Sequence, residues 1–158
     1  MPDAREAKPP ADEEASKKVE TGAGSATRLA DDDKPNYDVA WASSQLEFGE
    51  KGVFSGAMES VSGTLYSKGK PVSRFAAKIA RASKLSQILS LEQVVTISSQ
   101  NPKGVLYCDT LEWDNKRSLL RAKGNVRFDG ESFTLGTAPE IWATPDLSVI
   151  ATPDQFKP

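Results

Sequence analysis

The sequence predicts an all-β chain, a curved, half-open β-jellyroll built as an antiparallel meander. Three observations predict it. The first is self-similarity at an offset of 31. Phe75, Ala77, Ala80, Ala82, Leu89, Leu91, Val95 and Ile97 map onto Leu106, Cys108, Leu111, Trp113, Leu120, Ala122, Val126 and Phe128. All of the landing points are apolar. The second is the spacing inside each copy, mostly two residues, the period at which side chains return to one face of a strand. The third is short, polar turn chemistry between the apolar runs. A fixed repeat of this length marks an architecture that stacks one supersecondary unit on the next.

The elements follow in order. Residues 1–36 contain no Phe, Tyr, Trp or Ile, and carry six basic and nine acidic side chains, a net charge of −3. Such a segment buries too little apolar surface to offset the entropy of ordering, so a disordered polar leader is expected over 1–36. The β-domain is then expected over 37–158. Its strands are drawn at 38–48, 53–66, 72–82, 86–98, 104–113, 117–128, 131–136, 139–144 and 147–152. Turns fall at Gly49-Glu50-Lys51-Gly52, Ser67-Lys68-Gly69-Lys70-Pro71, Asn101-Pro102-Lys103-Gly104, Asp114-Asn115-Lys116 and Asp129-Gly130. Links this short join neighbouring antiparallel strands.

One stretch competes with that assignment. The Ala, Lys, Arg and Leu content of 73–89 suits a helix. Its second copy, with Val105, Tyr107 and Trp113, is strand-like, and the paired spacing of Phe75/Ala77 and Ala80/Ala82 recurs there. Both copies are therefore predicted to be strands, each interrupted by a bulge between its two apolar pairs. A third, weaker copy follows at an offset of 30, taking Cys108, Leu111, Trp113, Leu120 and Val126 onto Ala138, Ile141, Ala143, Ile150 and Phe156. Gly136 and Thr152 break it, as terminal repeats often are broken.

Composition narrows the function classes. The part beyond residue 36 carries fourteen basic and thirteen acidic side chains, a net of +1, which argues against a nucleic-acid partner. The chain has no histidine and one cysteine. Metal sites built on imidazole or paired thiolates, and Ser-His-Asp or Cys-His catalysis, are excluded on that ground. No cofactor is expected, and no metal. No apolar run approaches the ~18 residues of a membrane span, and residues 2–20 are polar, unlike a signal peptide.

Gly124-Asn125-Val126-Arg127 belongs to a wider ordered set of short motifs. The stretch from Gly63 to Phe156 resembles the periplasmic lipopolysaccharide-transport proteins of the OstA-like family, most closely the LptC type. The resemblance is carried by Gly63-Thr64-Leu65-Tyr66, then Gly69-Lys70-Pro71, Leu111-Glu112-Trp113-Asp114, Leu120-Arg121-Ala122-Lys123-Gly124-Asn125-Val126 and finally Ala151-Thr152-Pro153. It implies a jellyroll open along one side, a periplasmic location, and acyl chains of lipopolysaccharide or a related lipid held inside. It also implies a non-enzymatic role, with docking to other jellyroll-containing transport proteins through edge strands and to an inner-membrane transporter. LptC-type proteins usually carry an N-terminal membrane helix, whereas this sequence starts with a polar tail. An inner-membrane anchor outside this sequence and a soluble relative both stay open.

The candidate residues each have two readings. The sixteen repeated apolar positions are either a dry core or a lipid groove, and the small side chains of Ala77, Ala80, Ala82, Cys108 and Ala122 leave room for the second. Cys108 reads as a buried filler, with no base to activate it. Gly124 and Asn125 read as a bulge or strand join, with a ligand role for Asn125 as the other reading. Arg121, Lys123 and Arg127 read as a solvated or edge-protecting face, with contact to a lipid phosphate as the alternative. Glu112, Asp114 and Glu140 would be the carboxylates of a carbohydrate-active jellyroll, but their strand parities bring no pair into one cleft. The last expected strand, Leu147-Ser148-Val149-Ile150-Ala151-Thr152, is uncharged and strand-prone, so Leu147, Val149, Ile150 and Ala151 are predicted to form a docking edge. A structural or adaptor β-domain with a closed core, meeting partners through its edges, is the competing function.

Overall fold

Alternation and turn chemistry send this chain back and forth into a single antiparallel sheet. The computed structural model describes residues 18–50 and 53–157. They form β1 (Lys18–Thr21), β2 (Gly24–Leu29), β3 (Pro35–Trp41), β4 (Ser43–Phe48), β5 (Phe54–Ser67), β6 (Lys70–Ala82), β7 (Ile88–Gln100), β8 (Lys103–Asp114), β9 (Leu119–Gly130), β10 (Thr134–Ala143) and β11 (Ile150–Ala151). From β5 to β11 every strand pairs with the next in sequence, an open meander. The 73–89 stretch is β6, a loop and the start of β7, as the second copy of the repeat required.

The strand expected at 38–48 is divided in name only. Ala40 pairs with Ser62 and Ser43 with Glu59, so both chains advance by three and one register runs through. Ala42 N–H donates to Glu59 O at 3.0 Å across the break. β1 and β2 lie along the outer side of this strand, β1 on β4 and β2 on β3. The turn after β5 is the tight two-residue kind, with Lys68 and Gly69 at φ 55° and 81° between the paired Ser67 and Lys70.

Alternation of buried residues breaks once in each of five strands, and the breaks line up across the sheet. Buried Met58 is followed by Val61 on β5, Ala77 by Ala80 on β6, Leu91 by Val95 on β7, Cys108 by Leu111 on β8, and Ala122 by Val126 on β9. On β5, β7 and β9 the breaks hold left-handed backbone: Ser60, Gln93, Val94, Gly124 and Asn125 all have positive φ. Gln93 and Val94 lie 31 residues before Gly124 and Asn125, so the repeat carries the irregularity as well as the apolar positions. The bulges expected on the first strand of each copy fall on their neighbours. Between Ala76 and Ile79 β7 spends four residues against three of β6, and between Tyr107 and Thr110 β9 does the same against β8. A bulge bends its strand and tightens its twist, and a row of them rolls the sheet until its two halves face.

The facing halves bury one apolar cluster. Tyr37, Val39, Trp41, Leu46, Phe54, Met58, Val61 and Leu65 come from β3 to β5, and the repeat residues of β6 to β9 join them with Ile141 and Ala143 of β10. Each large side chain removed from water there contributes roughly 1.5–3 kcal/mol. Polar links tie the halves together: Trp113 Nε1 donates to Asn36 Oδ1 at 2.8 Å, Asn36 Nδ2 to Gln87 O at 2.9 Å, and Asn115 Nδ2 to Tyr66 O at 3.1 Å.

The leader expected over 1–36 needs correction. Residues 1–17 lie outside the described residues, but 18–36 hold β1, β2 and the start of β3. The segment is tied down without bulky apolar groups. It pairs backbone to backbone with β3 and β4, Trp41 Nε1 donates to Gly22 O at 2.9 Å, and Arg28 and Asn36 are buried by hydrogen bonds to other loops. Composition counts apolar surface and does not register this kind of attachment.

Candidate functional site

The inner face of the roll is where the repeat sends its side chains. Fifteen of the sixteen repeated positions are buried: Phe75, Ala77, Ala80, Leu89, Leu91, Val95, Ile97, Leu106, Cys108, Leu111, Trp113, Leu120, Ala122, Val126 and Phe128. Ala82, at the end of β6, is half-buried against the same cluster. These side chains pack on the opposite half of the sheet, so a long-chain guest would replace contacts between halves. The small residues are spread over β6, β8 and β9 and set against larger ones: Ala80 pairs with Leu91, and Ala122 faces Leu111 and Ile141 from the strands on either side. Burial pushes the Cys108 thiol up to about 12, helped by the Asp109 charge, which leaves it a neutral filler of that face.

Each end of the roll is covered by a different loop. At one end the β2–β3 turn, the β6–β7 loop and the β8–β9 turn surround a cavity of about 1110 Å³. Arg28 reaches across it from β2: Nη1 donates to Ser83 O at 2.9 Å, and Nη2 to Lys84 O at 3.3 Å and Ser86 O at 3.1 Å. Beneath it burial raises the Tyr37 hydroxyl to about 12, against the opposing pull of the Arg28 charge. At the other end the turn after β10 places Asp146 beside Thr64, Arg74 and Ser98, around a smaller cavity of about 450 Å³. Leu147, from the same turn, is buried in the core cluster.

That turn corrects the strand expected at 147–152. Only Ile150 and Ala151 form strand, pairing with Ala143 and Trp142. Leu147 points inward at φ 63°, and Val149 N–H donates to Thr144 Oγ1 at 3.0 Å rather than facing outward. Asp146 Oδ1 accepts from Thr144 Oγ1, Ser148 N–H and Ser148 Oγ–H at 2.9, 3.0 and 2.7 Å. Thr144-Pro145-Asp146 was a readable turn signal, and it outranks the β propensity of the residues after it. The free edge on this side is therefore most of β10, whose partner β9 covers one flank and whose β11 covers only Trp142 and Ala143 on the other.

The outer basic residues are engaged with neighbours on the sheet. Arg121 lies 3.1 Å from Glu112 and 3.4 Å from Asp114, and Arg127 lies 4.2 Å over the Tyr107 ring and 3.5 Å from Asp129. Of the three candidate carboxylates, Glu112 and Asp114 thus share one arginine, and Glu140 accepts from Trp142 Nε1 at 2.9 Å. Asn125 donates to Asp109 Oδ2 at 2.9 Å, and a side chain at Gly124 would meet the same carboxylate at 2.6 Å, so the pair closes a bulge against Asp109. Sequence reasoning missed Arg28 and Asn36, which no repeat or motif marks.

Among the described residues no cluster of His, Cys, Asp or Glu is arranged to hold a metal ion, and no helix is long and apolar enough to cross a membrane. No family model matches this chain, and no curated protein matches it.

Proposed function

We propose that the chain is a non-enzymatic lipid-transfer module of the periplasm, serving lipopolysaccharide export to the outer membrane by shielding acyl chains and joining neighbouring jellyrolls edge to edge. The observation that carries this reading is the continuous apolar inner face of an open, rolled meander whose outer edges are unpaired among the described residues. The resemblance in Gly63–Phe156 supplies the ligand and the setting. Acyl chains would slide between the halves of the sheet, exchanging protein contacts for lipid contacts at roughly 0.8 kcal/mol per shielded methylene. Directional movement would be driven by a partner, such as an inner-membrane transporter.

Position decides the test. Val126 is fully buried on the inner face and Arg127 lies outside over Tyr107. A photo-crosslinking side chain at Val126 captures lipopolysaccharide in a Gram-negative host, and the same side chain at Arg127 does not. Equal labelling at the two positions removes the groove. The close packing of the fifteen buried positions favours a second reading, an adaptor β-domain with a closed core. Absence of label at Val126, with the variant folded, selects that reading.

A further inference from the structure

Arg28 is a charged side chain placed where charges are seldom left unpaired. It is 4% exposed, and among the described residues no carboxylate pairs with it. Its three hydrogen bonds go to the carbonyls of Ser83, Lys84 and Ser86. A guanidinium has five N–H donors, so two remain, and Nε–H is one of them, buried without a partner. Carbonyl dipoles offset part of the cost of burying the cation but bring no net negative charge.

Three carboxylates also line this cavity, and Asp33 among them is exposed on the β2–β3 turn while the other two are committed. Asp31 pairs with Lys116 at 3.3 Å, and Asp114 with Arg117 at 2.9 Å. The cavity that Arg28 lines is also walled by Leu29, Val53, Leu85 and Ile88. Leu29 is 40% exposed and Leu85 99% exposed, although the loop carrying Leu85 is held in place by Arg28 from below. An apolar side chain fixed in water beside an unpaired buried cation matches one ligand chemistry, an anionic head with an alkyl chain attached.

We infer that the cavity between the β2–β3 turn and the β6–β7 loop is a binding site for the phosphate or carboxylate head of an amphiphile, with Arg28 holding the anion and Leu85 and Leu29 meeting the first methylenes. The inference rests on the lipid-transfer reading for the alkyl chain but not for the anion. The same oxyanion chemistry is offered by a free phosphate, so the probes must separate the two.

Dodecyl phosphate and inorganic phosphate are titrated into the full chain by calorimetry and by ¹⁵N NMR of the Arg28 Nε–H. Dodecyl phosphate should bind with one equivalent, at least tenfold tighter than inorganic phosphate, and shift the Nε–H resonance. Arg28→Gln should weaken it tenfold or more. Leu85→Ser, which changes a side chain already in water, should weaken dodecyl phosphate severalfold and leave inorganic phosphate unchanged. Equal affinity for both probes with the Nε–H shift keeps the anion site and assigns it to free phosphate. An unmoved Nε–H signal at saturation overturns the site, as does no binding of either probe, and the NMR arm answers even if Arg28→Gln fails to fold. Loss of Val126 crosslinking with an intact Arg28 titration would instead remove the groove and leave the anion site standing.

Discussion

Asp114 shows how a single buried carboxylate can be held charged at the end of a strand. Burial opposes its ionisation, but hydrogen bonds from Arg117 and the charges of Arg121 and Arg117 outweigh it and hold the carboxyl below its ordinary range. A folded-state pKa below the unfolded value of about 3.9 gives stability that is fully present above that value and lost as pH falls through the folded one. Asp114→Asn should therefore cost about 2 kcal/mol at pH 7, the worth of charge-assisted bonds at a buried site, measured by urea unfolding. The penalty should shrink as pH falls below about 4, where wild type loses the same charge. A penalty that stays constant into acid would mean that side-chain shape, and not charge, is what the site requires. Arg28 and Asn36 belong to the same scale and were invisible in the sequence. Each is buried by hydrogen bonds to loops more than fifty residues away, and nothing local in Ala26-Thr27-Arg28 or Pro35-Asn36 signals that distance.

Strands are where the sequence was most legible, because alternation and repeat constrain each other. A period of two says which side of a strand faces inward, and an offset of 31 says that a hairpin recurs. Together they located fifteen buried positions, while the bulges expected on β6 and β8 fall on β7 and β9. The bulges also test the repeat. Gly124 and Asn125 suit left-handed backbone, but their counterparts are Gln93 and Val94, and Val94 takes φ 54° with a β-branched side chain 66% exposed. Left-handed backbone costs an ordinary L-residue about 1–2 kcal/mol, and Val94 has little packing to offset it. Val94→Asn, copying the second repeat, should raise stability by about 1 kcal/mol, and Val94→Gly by a similar amount less its unfolded-state entropy. Unchanged or lower thermal midpoints for both would mean that Val94 is held by contacts its exposure hides. The C-terminal strand was less legible for the opposite reason. Its β propensity was read without the Thr144–Asp146 turn that pulls Leu147 into the core.

At the scale of the whole molecule, the meander leaves two edges unpaired among the described residues. On one side are the outer flanks of β1 and β2, and on the other most of β10. Unpaired edges recruit other strands unless charge, proline or a bulge discourages it. β10 carries Pro139 and Glu140, and a register shift between Gly136 and Ala138, but its first part, Thr134-Leu135-Gly136-Thr137, has no charge. Next to it Phe133 is 50% exposed and packs on Phe128 at 5.2 Å between ring centres, so an apolar group stands at the corner where an added strand would arrive. Docking proposed for this fold should therefore use the N-terminal part of β10 and not the segment after Pro145. Lysines at Thr134 and Thr137, both exposed, place charge along that edge without touching the core. The double variant should keep the wild-type melting temperature and bind a partner jellyroll, or a second copy of this chain, at least tenfold more weakly by analytical ultracentrifugation. Val149→Pro should instead lower the melting temperature, because it removes the donor to Thr144 Oγ1 inside a formed turn. Full-strength association by the lysine variant would move the docking surface to the β1–β2 edge, whose backbone Arg28 and Trp41 hold against the rest of the roll.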